Sequence, residues 1–352
     1  MAVLAEYLWI DGGQPTASIR SKTRVIYKSE VPVSTEINDV TKINMDWFPE
    51  WGADGSSTMQ ADGDDSDIIL KPVSAVRDPF RPGGYLVMTE VFAGNSGEAH
   101  TSNSRADLRS VLNQGAASVD SLFGFEQEYT FLTQNGRPLG FPDQGYPEPQ
   151  GPYYCGVGTT KIAGRNVYET FLQACLEAGV HISGVNWEVM PGQAEVQVGA
   201  VGPLVGSDHI WFARWILERT GEKFDVQVSF DPKPASGDWN GAGMHTNFST
   251  NKMRSPGGLD EIHRACVAIG EKITEHLDAY GDRYEDRLTG AHETAHFSQF
   301  TYGVSDRTAS IRIPRSVQED GCGYLEDRRP NANAGPYKIA ARLLRTVCSI
   351  EG

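Results

Sequence analysis

Nowhere in this 352-residue chain do about 18 apolar residues run together, so no membrane-spanning helix is expected. The opening stretch Met1–Asp11 is apolar but too short to span, is interrupted by Glu6 and lacks a basic leader, which argues against a secretory signal. Positive charge is scarce. Lys and Arg number 31 against 46 Asp and Glu, a net charge of −15. That balance argues against nucleic acid or an anionic membrane as a partner and suits an enzyme that recruits divalent cations. Cysteine is sparse too: the five, at 155, 175, 266, 322 and 348, form no C-x-x-C pair. They read as free thiols in a reducing compartment, which predicts a cytoplasmic protein. The phosphate loop G-x-x-x-x-G-K-[ST] and the Rossmann glycine pattern are both missing; Gly156-Val-Gly-Thr-Thr-Lys161 is a weak echo of the first. Repeats and low-complexity tracts are absent. Glycine, by contrast, is plentiful at 38 residues, which predicts many turns or close ligand approaches.

The length allows one large domain or two ordinary ones. The first hundred residues are rich in strand and turn signals, with short apolar runs at 7–10, 24–27, 68–70 and 85–92 between Asp/Gly/Pro clusters. Ser102-Asn103-Ser104 can cap the first helical pattern, and a domain boundary is placed there, dividing 1–102 from 103–352. Helices are predicted at 165–178, 207–220, 259–280 and 336–349. Strands are predicted at 122–132, 182–188, 194–199, 225–230, 243–249, 308–313 and 323–328. The fold class is therefore α+β, a small β domain preceding a larger mixed one.

Chemistry concentrates on the strands. In Phe123-Gly-Phe-Glu-Gln-Glu-Tyr-Thr-Phe131, period 2 sends Phe123, Phe125, Gln127, Tyr129 and Phe131 one way and Glu126 and Glu128 the other. Paired carboxylates of this kind mark a solvated strand face, or a cation site if further ligands arrive. Glu188 and Glu195 flank the turn Pro191-Gly192, which can bring them together or leave an ordinary hairpin. His245, Asn247 and Ser249 alternate along one strand face, and Gly241 and Gly243 leave backbone open to a ligand. Arg312 and Arg307 belong to one further segment; Tyr324, Glu326 and Arg328 share a face of another. Arginine forks beside a carboxylate suit a metal–phosphate site or a salt-bridge ladder. His292-Glu-Thr-Ala-His296 matches the zinc-hydrolase pattern H-E-x-x-H, which requires a helix, yet its flanks read as loop and strand. Together the pieces form the inventory of a multi-cation phosphoryl-transfer site built without a phosphate loop.

In sequence order, Asp54-Gly-Ser-Ser, Phe125-Glu-Gln-Glu-Tyr, Gln150-Gly-Pro-Tyr-Tyr-Cys-Gly-Val-Gly158, Glu188-Val-Met-Pro-Gly-Gln, Asn240-Gly-Ala-Gly-Met-His-Thr-Asn-Phe-Ser-Thr250, Arg287-Leu-Thr-Gly, His292-Glu-Thr, Ser310-Ile-Arg-Ile-Pro and Gly323-Tyr-Leu-Glu-Asp-Arg-Arg-Pro330 span nearly the whole chain. Carrying them, the chain resembles the type II (eukaryotic-like) glutamine synthetase family. The resemblance implies a β-grasp-like N-terminal domain and a catalytic domain with a curved antiparallel sheet flanked by helices. It implies ATP-dependent joining of ammonia to L-glutamate through γ-glutamyl phosphate, with two or three Mg²⁺ or Mn²⁺ ions per site. One ion would be held by Glu128, Glu188 and Glu195 on the glutamate side, another by Glu126, His245 and Glu326 on the ATP side. Asn247, Ser249, Arg312 and Tyr324 would line the nucleotide site, with Glu126, Glu195 and Arg307 also facing the nucleotide. Glu128, Asn240, Gly241, Arg287, Arg307 and Arg328 would face glutamate and the transferring phosphate. Asp54 would take a proton from ammonium, and Glu293 would sit on a flap over the intermediate. The implied assembly is a homo-oligomer, a decamer of two pentameric rings, with Asp54 supplied by the neighbouring subunit.

Two departures stand out. Trp187 replaces the alanine usual beside the third glutamate, and Ala194 replaces the tryptophan usual beside the fourth. The exchange roughly conserves volume, but it adjoins two expected ligands and motivates a second reading, a γ-glutamyl ligase using another amine. The stretch from Glu30 to Pro49 is also unfamiliar, which leaves the ring contacts there open. A zinc hydrolase using His292 and His296 is the third reading.

Overall fold

The computed structural model describes residues 2–27 and 31–351; Met1 and Glu30, the latter heading the unfamiliar stretch, lie outside the described residues. Two sheets organise the chain. The first contains β1 (Val3–Ile10), β2 (Ile19–Ile26), β3 (Trp51–Asp54), β4 (Asp67–Arg77) and β5 (Tyr85–Ala93), in the order β2-β1-β5-β4-β3. Its first and last strands lie side by side and parallel at the centre, as in a β-grasp, with the other pairs antiparallel. The short strand β3 carries no strong pattern and was not expected. It pairs with β4 only at one edge and ends in Asp54.

The second sheet is larger and curled. It takes β6 (Leu122–Leu132), β7 (Ile182–Trp187), β8 (Gln193–Val201), β9 (Gln227–Ser229), β10 (Met244–Ser249), β11 (Tyr302–Val304), β12 (Ile311–Ile313) and β13 (Leu325–Asp327). The order is β11-β12-β13-β10-β6-β8-β7, with β9 paired to the far end of β6. All pairs are antiparallel except β11–β12, so the expected antiparallel sheet holds with one parallel edge. The helices α1 (Ser104–Asn113), α2 (Arg165–Ala178), α3 (Pro203–Phe224), α5 (Leu259–Gly270) and α9 (Pro336–Val347) flank it, with short turns α4 (Asn251–Arg254), α6 (Ile273–Ala279), α7 (Tyr284–Arg287) and α8 (Arg315–Asp320) between. The fold is α+β.

Alternation decides which face of the second sheet is core. Phe123, Phe125, Tyr129 and Phe131 of β6, Val196 and Val198 of β8 and Phe248 of β10 are all fully buried on the helix side. Their strand neighbours point the other way, and that face carries the polar cluster described below. The single helix expected over 259–280 is instead α5 and α6. A side chain at Gly270 would meet the Phe300 ring at 2.6 Å, so the chain turns there to let that ring pack. The two sheets are tied by a buried polar knot. Arg105 of α1 donates to Glu90 of β5 at 2.9 Å and grips both carboxylate oxygens of Asp208 on α3 at 2.8 and 2.9 Å; Tyr337 of α9 also donates to Asp208. Bidentate geometry of this kind fixes orientation as well as charge.

Candidate active site

Strand register lines up the polar face in three rows. Arg312 of β12 pairs with Glu326 of β13, which pairs with Asn247 of β10. His245 pairs with Glu126 of β6, which pairs with Gln197 of β8. Glu128 pairs with Glu195, which pairs with Asn186 of β7. The turn after β7 then returns Glu188 to the same place.

Two ligand sets result. Glu126, His245 and Glu326 offer donor atoms within 4.8 Å of one another, and so do Glu128, Glu188 and Glu195. Both sets open into one cavity of about 550 Å³ that also reaches Asn240, Gly241, Arg287, Glu293, Arg307, Arg312 and Arg328. A second cavity of about 390 Å³ adjoins it, sharing Glu126 and Gln197. Its walls are more apolar and include Asn247, Ser249, Phe248 and Tyr324. Gly124, across the strands from Asn247, keeps side-chain bulk out of its floor. The sequence-predicted residues therefore gather around two connected cavities, with one exception. Asp54 lines neither; it is exposed at the edge of the first sheet. The Ser56 and Ser57 hydroxyls donate to its carboxylate and hold it below the usual range.

The electrostatics of the two sets differ. Glu128, Glu188 and Glu195 are buried; burial followed by repulsion from Glu128 and Glu195 raises Glu188 well above the carboxylate range, and burial followed by repulsion from Glu126 and Glu128 raises Glu195 to about 8. Glu128 is raised by burial as well, although Arg287 nearby and the Gly243 N–H that donates to it pull the other way. Three crowded carboxyls of this kind fit a divalent cation, because oxygen donors suit Mg²⁺ or Mn²⁺ and the ion removes the repulsion. In the other set, burial, with Arg328 next, drives His245 well below its usual value, so the imidazole is neutral and fit to be a ligand. Its Nδ1 stands 3.5 Å from Glu126 and 3.8 Å from Glu326.

Amides hold these carboxylates in place. Asn186 donates to Glu188, Gln197 to Glu195 and Asn247 to Glu126, each at 2.8 Å. Asn186 and Gln197 escaped the sequence reading as site residues. Gln197 lay two positions beyond Glu195 on the same face, and that spacing was the available signal. Arg287 lines the cavity, but its guanidinium is engaged behind it. Nη1 donates to the carbonyls of Arg329 and Pro330 and Nη2 to that of Arg328, and Nη2 also lies 3.1 Å from His245 Nε2. This explains Gly241 and Gly243. A side chain at Gly243 would lie 2.3 Å from Arg287 Nη2, and one at Gly241 2.6 Å from Arg287 Cγ. These glycines make room for an arginine, and Gly241 also lines the polar cavity.

The His292–His296 stretch is a turn, not a helix. His292 faces Asp238 at 3.2 Å and His296 faces Ser298, and neither belongs to a three-ligand cluster among the described residues. The zinc reading fails on that geometry. His292 and Glu293 both have positive φ, 53° and 58°, consecutive left-handed residues that a free loop avoids. Glu293 points toward Arg307 at 4.0 Å, and its carbonyl accepts from Arg328 at 3.4 Å. The Trp187/Ala194 exchange also resolves. The two residues are direct cross-strand partners, and Trp187 stacks on Tyr168 of α2 with ring centroids 4.5 Å apart. The indole packs on the helix side, opposite Asn186, Glu195 and Glu128, so the exchange moves bulk across one core pair and touches neither cavity.

A pH dependence follows from the raised carboxyls. Each keeps its proton in the folded chain at pH values where the unfolded chain has lost it, so the metal-free fold loses stability as pH rises. For Glu195 the window runs from about 4.5 to about 8. Cation binding displaces those protons and strengthens with pH. We expect Mg²⁺ to raise the melting temperature at pH 8 by about 5 °C more than at pH 5.5. Scanning calorimetry at the two pH values checks this; an equal increment at both would contradict it.

Residues 102–263 match the family model described as glutamine synthetase, catalytic domain. Across the full length, the chain is 53% identical to a glutamine synthetase of Streptomyces viridochromogenes, covering 99% of this chain and 98% of the relative. It is 47% identical to the chloroplastic glutamine synthetase of Chlamydomonas reinhardtii, over 97% and 90% of the two chains. A solved structure described as "Apo GmaS without ligand" superposes with a TM-score of 0.73 over 98% of this chain and 77% of the other, at 20% identity, a likeness of fold.

Proposed function

The chain belongs to the glutamine synthetase family, and on that premise we propose how its two cavities divide the family reaction. The enzyme joins ammonia to L-glutamate at the expense of ATP: the γ-carboxylate takes the terminal phosphoryl group, ADP leaves, and ammonia then displaces phosphate. The observation that carries the assignment is the pair of ligand sets that meet on β6, with Glu126 lining both cavities and Glu128 only the more polar one.

In this reading the nucleoside lies in the apolar cavity against Asn247, Ser249 and Tyr324. Its phosphates cross Glu126 toward Arg312 and Arg307. Glutamate occupies the polar cavity beside Asn240 and Gly241, with Arg328 at the transferring phosphoryl group. Glu126, His245 and Glu326 would hold one divalent cation and Glu128, Glu188 and Glu195 another. Such ions neutralise phosphate charge and polarise its oxygens when bound. Asn186, Gln197 and Asn247 orient the ligating carboxylates, and Arg287 braces His245 from behind. Residues 1–102 form the assembly domain and 103–352 the catalytic one. Asp54 completes a neighbouring subunit's site in a ring assembly, a decamer of two pentamers; its exposure and its distance from both cavities of its own chain support that role. As an ion held by Ser56 and Ser57, it attracts ammonium before accepting its proton.

Ammonia is the acceptor in this reading, because the Trp187/Ala194 exchange that favoured another amine lies away from the cavities. The test is a coupled assay with ATP, L-glutamate, Mg²⁺ and either ammonium or a panel of small amines. Equimolar phosphate and glutamine with ammonium support it; faster turnover with an amine overturns it.

The flap carries its own prediction. Glu293 stands on a strained turn over the polar cavity and excludes water from the acyl phosphate. Glu293→Ala should keep substrate binding while ATP hydrolysis outruns glutamine formation by about threefold or more. Unchanged coupling of phosphate to glutamine would remove the flap role.

A further inference from the structure

Three loops far apart in sequence meet at one side-chain amide beside the polar cavity. Gln150 Nε2 donates to Asn240 Oδ1 at 2.6 Å and to the Asp238 carbonyl at 3.3 Å, and lies 3.3 Å from His292 Nδ1. The other ring nitrogen of His292, Nε2, lies 3.2 Å from the Asp238 carboxylate. Asn240, His292 and Glu293 line the polar cavity, whereas Gln150 and Asp238 stand outside it. The loop carrying Asp238 and Asn240 is itself anchored. Trp239 between them is buried, with its ring centroid 5.2 Å from that of Phe141 and 6.2 Å from that of Tyr153, and the Lys233 ammonium donates to its carbonyl. A fixed loop therefore holds one side of the turn that carries Glu293. On the other side Arg328 donates to the Glu293 carbonyl at 3.4 Å.

Donors and acceptors match here in one arrangement. The amide nitrogen of Gln150 has two hydrogens to share among three acceptors. It can serve His292 only if Nδ1 is an acceptor, which puts the ring hydrogen on Nε2, where it donates to Asp238. The other tautomer would set N–H against N–H on one side of the ring and a bare nitrogen against a carboxylate on the other. One tautomer therefore ties the turn to Asp238 and Gln150, and Gln150 carries the tie on to Asn240. Gln150 and His292 both hold positive φ, 55° and 53°, an uncommon conformation for residues with a side chain, kept where the surroundings fix it.

We propose that Gln150, Asp238 and His292 form a latch that seats Glu293 and Asn240 together, so that shielding of the intermediate and placement of glutamate depend on each other. The latch rests on the roles given to Glu293 and Asn240 above. Its members are positioning residues, acting through the two they hold. The Asp238 side chain is 72% exposed, and an exposed pair adds little to folding, so its removal separates positioning from stability. The test measures phosphate and glutamine released together by the full-length enzyme with ATP, L-glutamate, ammonium and Mg²⁺. Asp238→Ala and His292→Ala should each release about twofold or more phosphate over glutamine, with melting temperatures within about 2 °C of the parent. The double variant should be no worse than His292→Ala alone, because both changes break one contact. Asp238→Asn, whose Oδ1 still accepts from Nε2, should keep the parent coupling. Gln150→Ala should uncouple and also raise the KM for glutamate by about fivefold or more. Parent-like coupling in Asp238→Ala or His292→Ala, additive losses in the double variant, an Asp238→Asn as uncoupled as Asp238→Ala, or an unchanged KM in Gln150→Ala would each overturn the latch. Glu293→Ala, run alongside, tells the two levels apart. If it uncouples while the latch variants do not, the latch alone fails; if it leaves coupling intact, the flap reading falls and the latch with it.

Discussion

Glu188→Gln is expected to stabilise the metal-free protein and nearly abolish its activity. Glu188 is raised by burial first and by Glu128 and Glu195 next, so near pH 8 the folded chain either holds a proton there or confines three carboxylates to one small space. Glutamine keeps the shape, and its Oε1 still accepts from Asn186, as Glu188 does now at 2.8 Å. Its amide hydrogens then face Glu128 and Glu195, and repulsion becomes attraction. The change creates no cavity, so the electrostatic gain should show as about 1–3 kcal/mol at pH 8. Below about pH 4 the gain should fade, because the parent carboxyl is then protonated in both folded and unfolded chains. Losing one of three charged ligands should cut glutamine formation by at least about a hundredfold. Calorimetry in chelator and the coupled assay read the two effects. A lower melting temperature in the absence of metal would mean that the carboxylates are compensated in some other way, and would undo the account of the glutamate-side set.

The opposite signs of those effects bear on how a sequence displays its site. A cluster kept for chemistry conflicts locally with folding, and such conflicts are where a functional site shows. Here the conflict was visible one strand at a time. Glu126 and Glu128 on β6, Glu195 on β8 and His245 on β10 could each be assigned a face from period 2 alone, because the intervening residues are core hydrophobes, a buried amide (Gln127) or a buried threonine (Thr246). Alternation did not reveal which strands are neighbours. Cross-strand order depends on contacts far apart in sequence: β6 meets β10 and β8, and β13 meets β10, across more than 60 residues. The quoted motifs supplied that order by resemblance. Arg287 shows the remaining gap. Its segment was singled out, but its partners are carbonyls of residues 328–330, and backbone acceptors leave no mark in a side-chain pattern. The Trp187/Ala194 exchange shows the same gap in reverse. Adjacency to two glutamates suggested a change of specificity, whereas alternation, applied one residue further, puts both side chains in the core.

Arg328→Ala is expected to lower kcat by about a thousandfold with a much smaller change in the KM for glutamate. Arg328 and Arg312 clamp one carboxylate from two sides: Arg328 Nη1 lies 2.5 Å from Glu326 Oε1 and Arg312 Nη1 lies 2.7 Å from Oε2. Each keeps a buried Nε without a partner among the described residues. Glu326 therefore fixes both guanidiniums before substrate arrives, and the spare N–H groups remain for an anion in the cavity. Donors fixed in advance stabilise charge that develops during phosphoryl transfer without reorganising at that moment. The informative variant is Arg328→Lys. Lysine keeps the charge, but its ammonium is a point donor that cannot hold Glu326 and a phosphoryl oxygen in one plane. We expect it to recover no more than about tenfold over the alanine variant. Rapid-quench measurement of acyl-phosphate formation separates this step from ammonia attack. If Arg328→Lys forms the acyl phosphate at nearly the parent rate, charge alone suffices at this position, and the clamp through Glu326 serves the fold rather than the reaction.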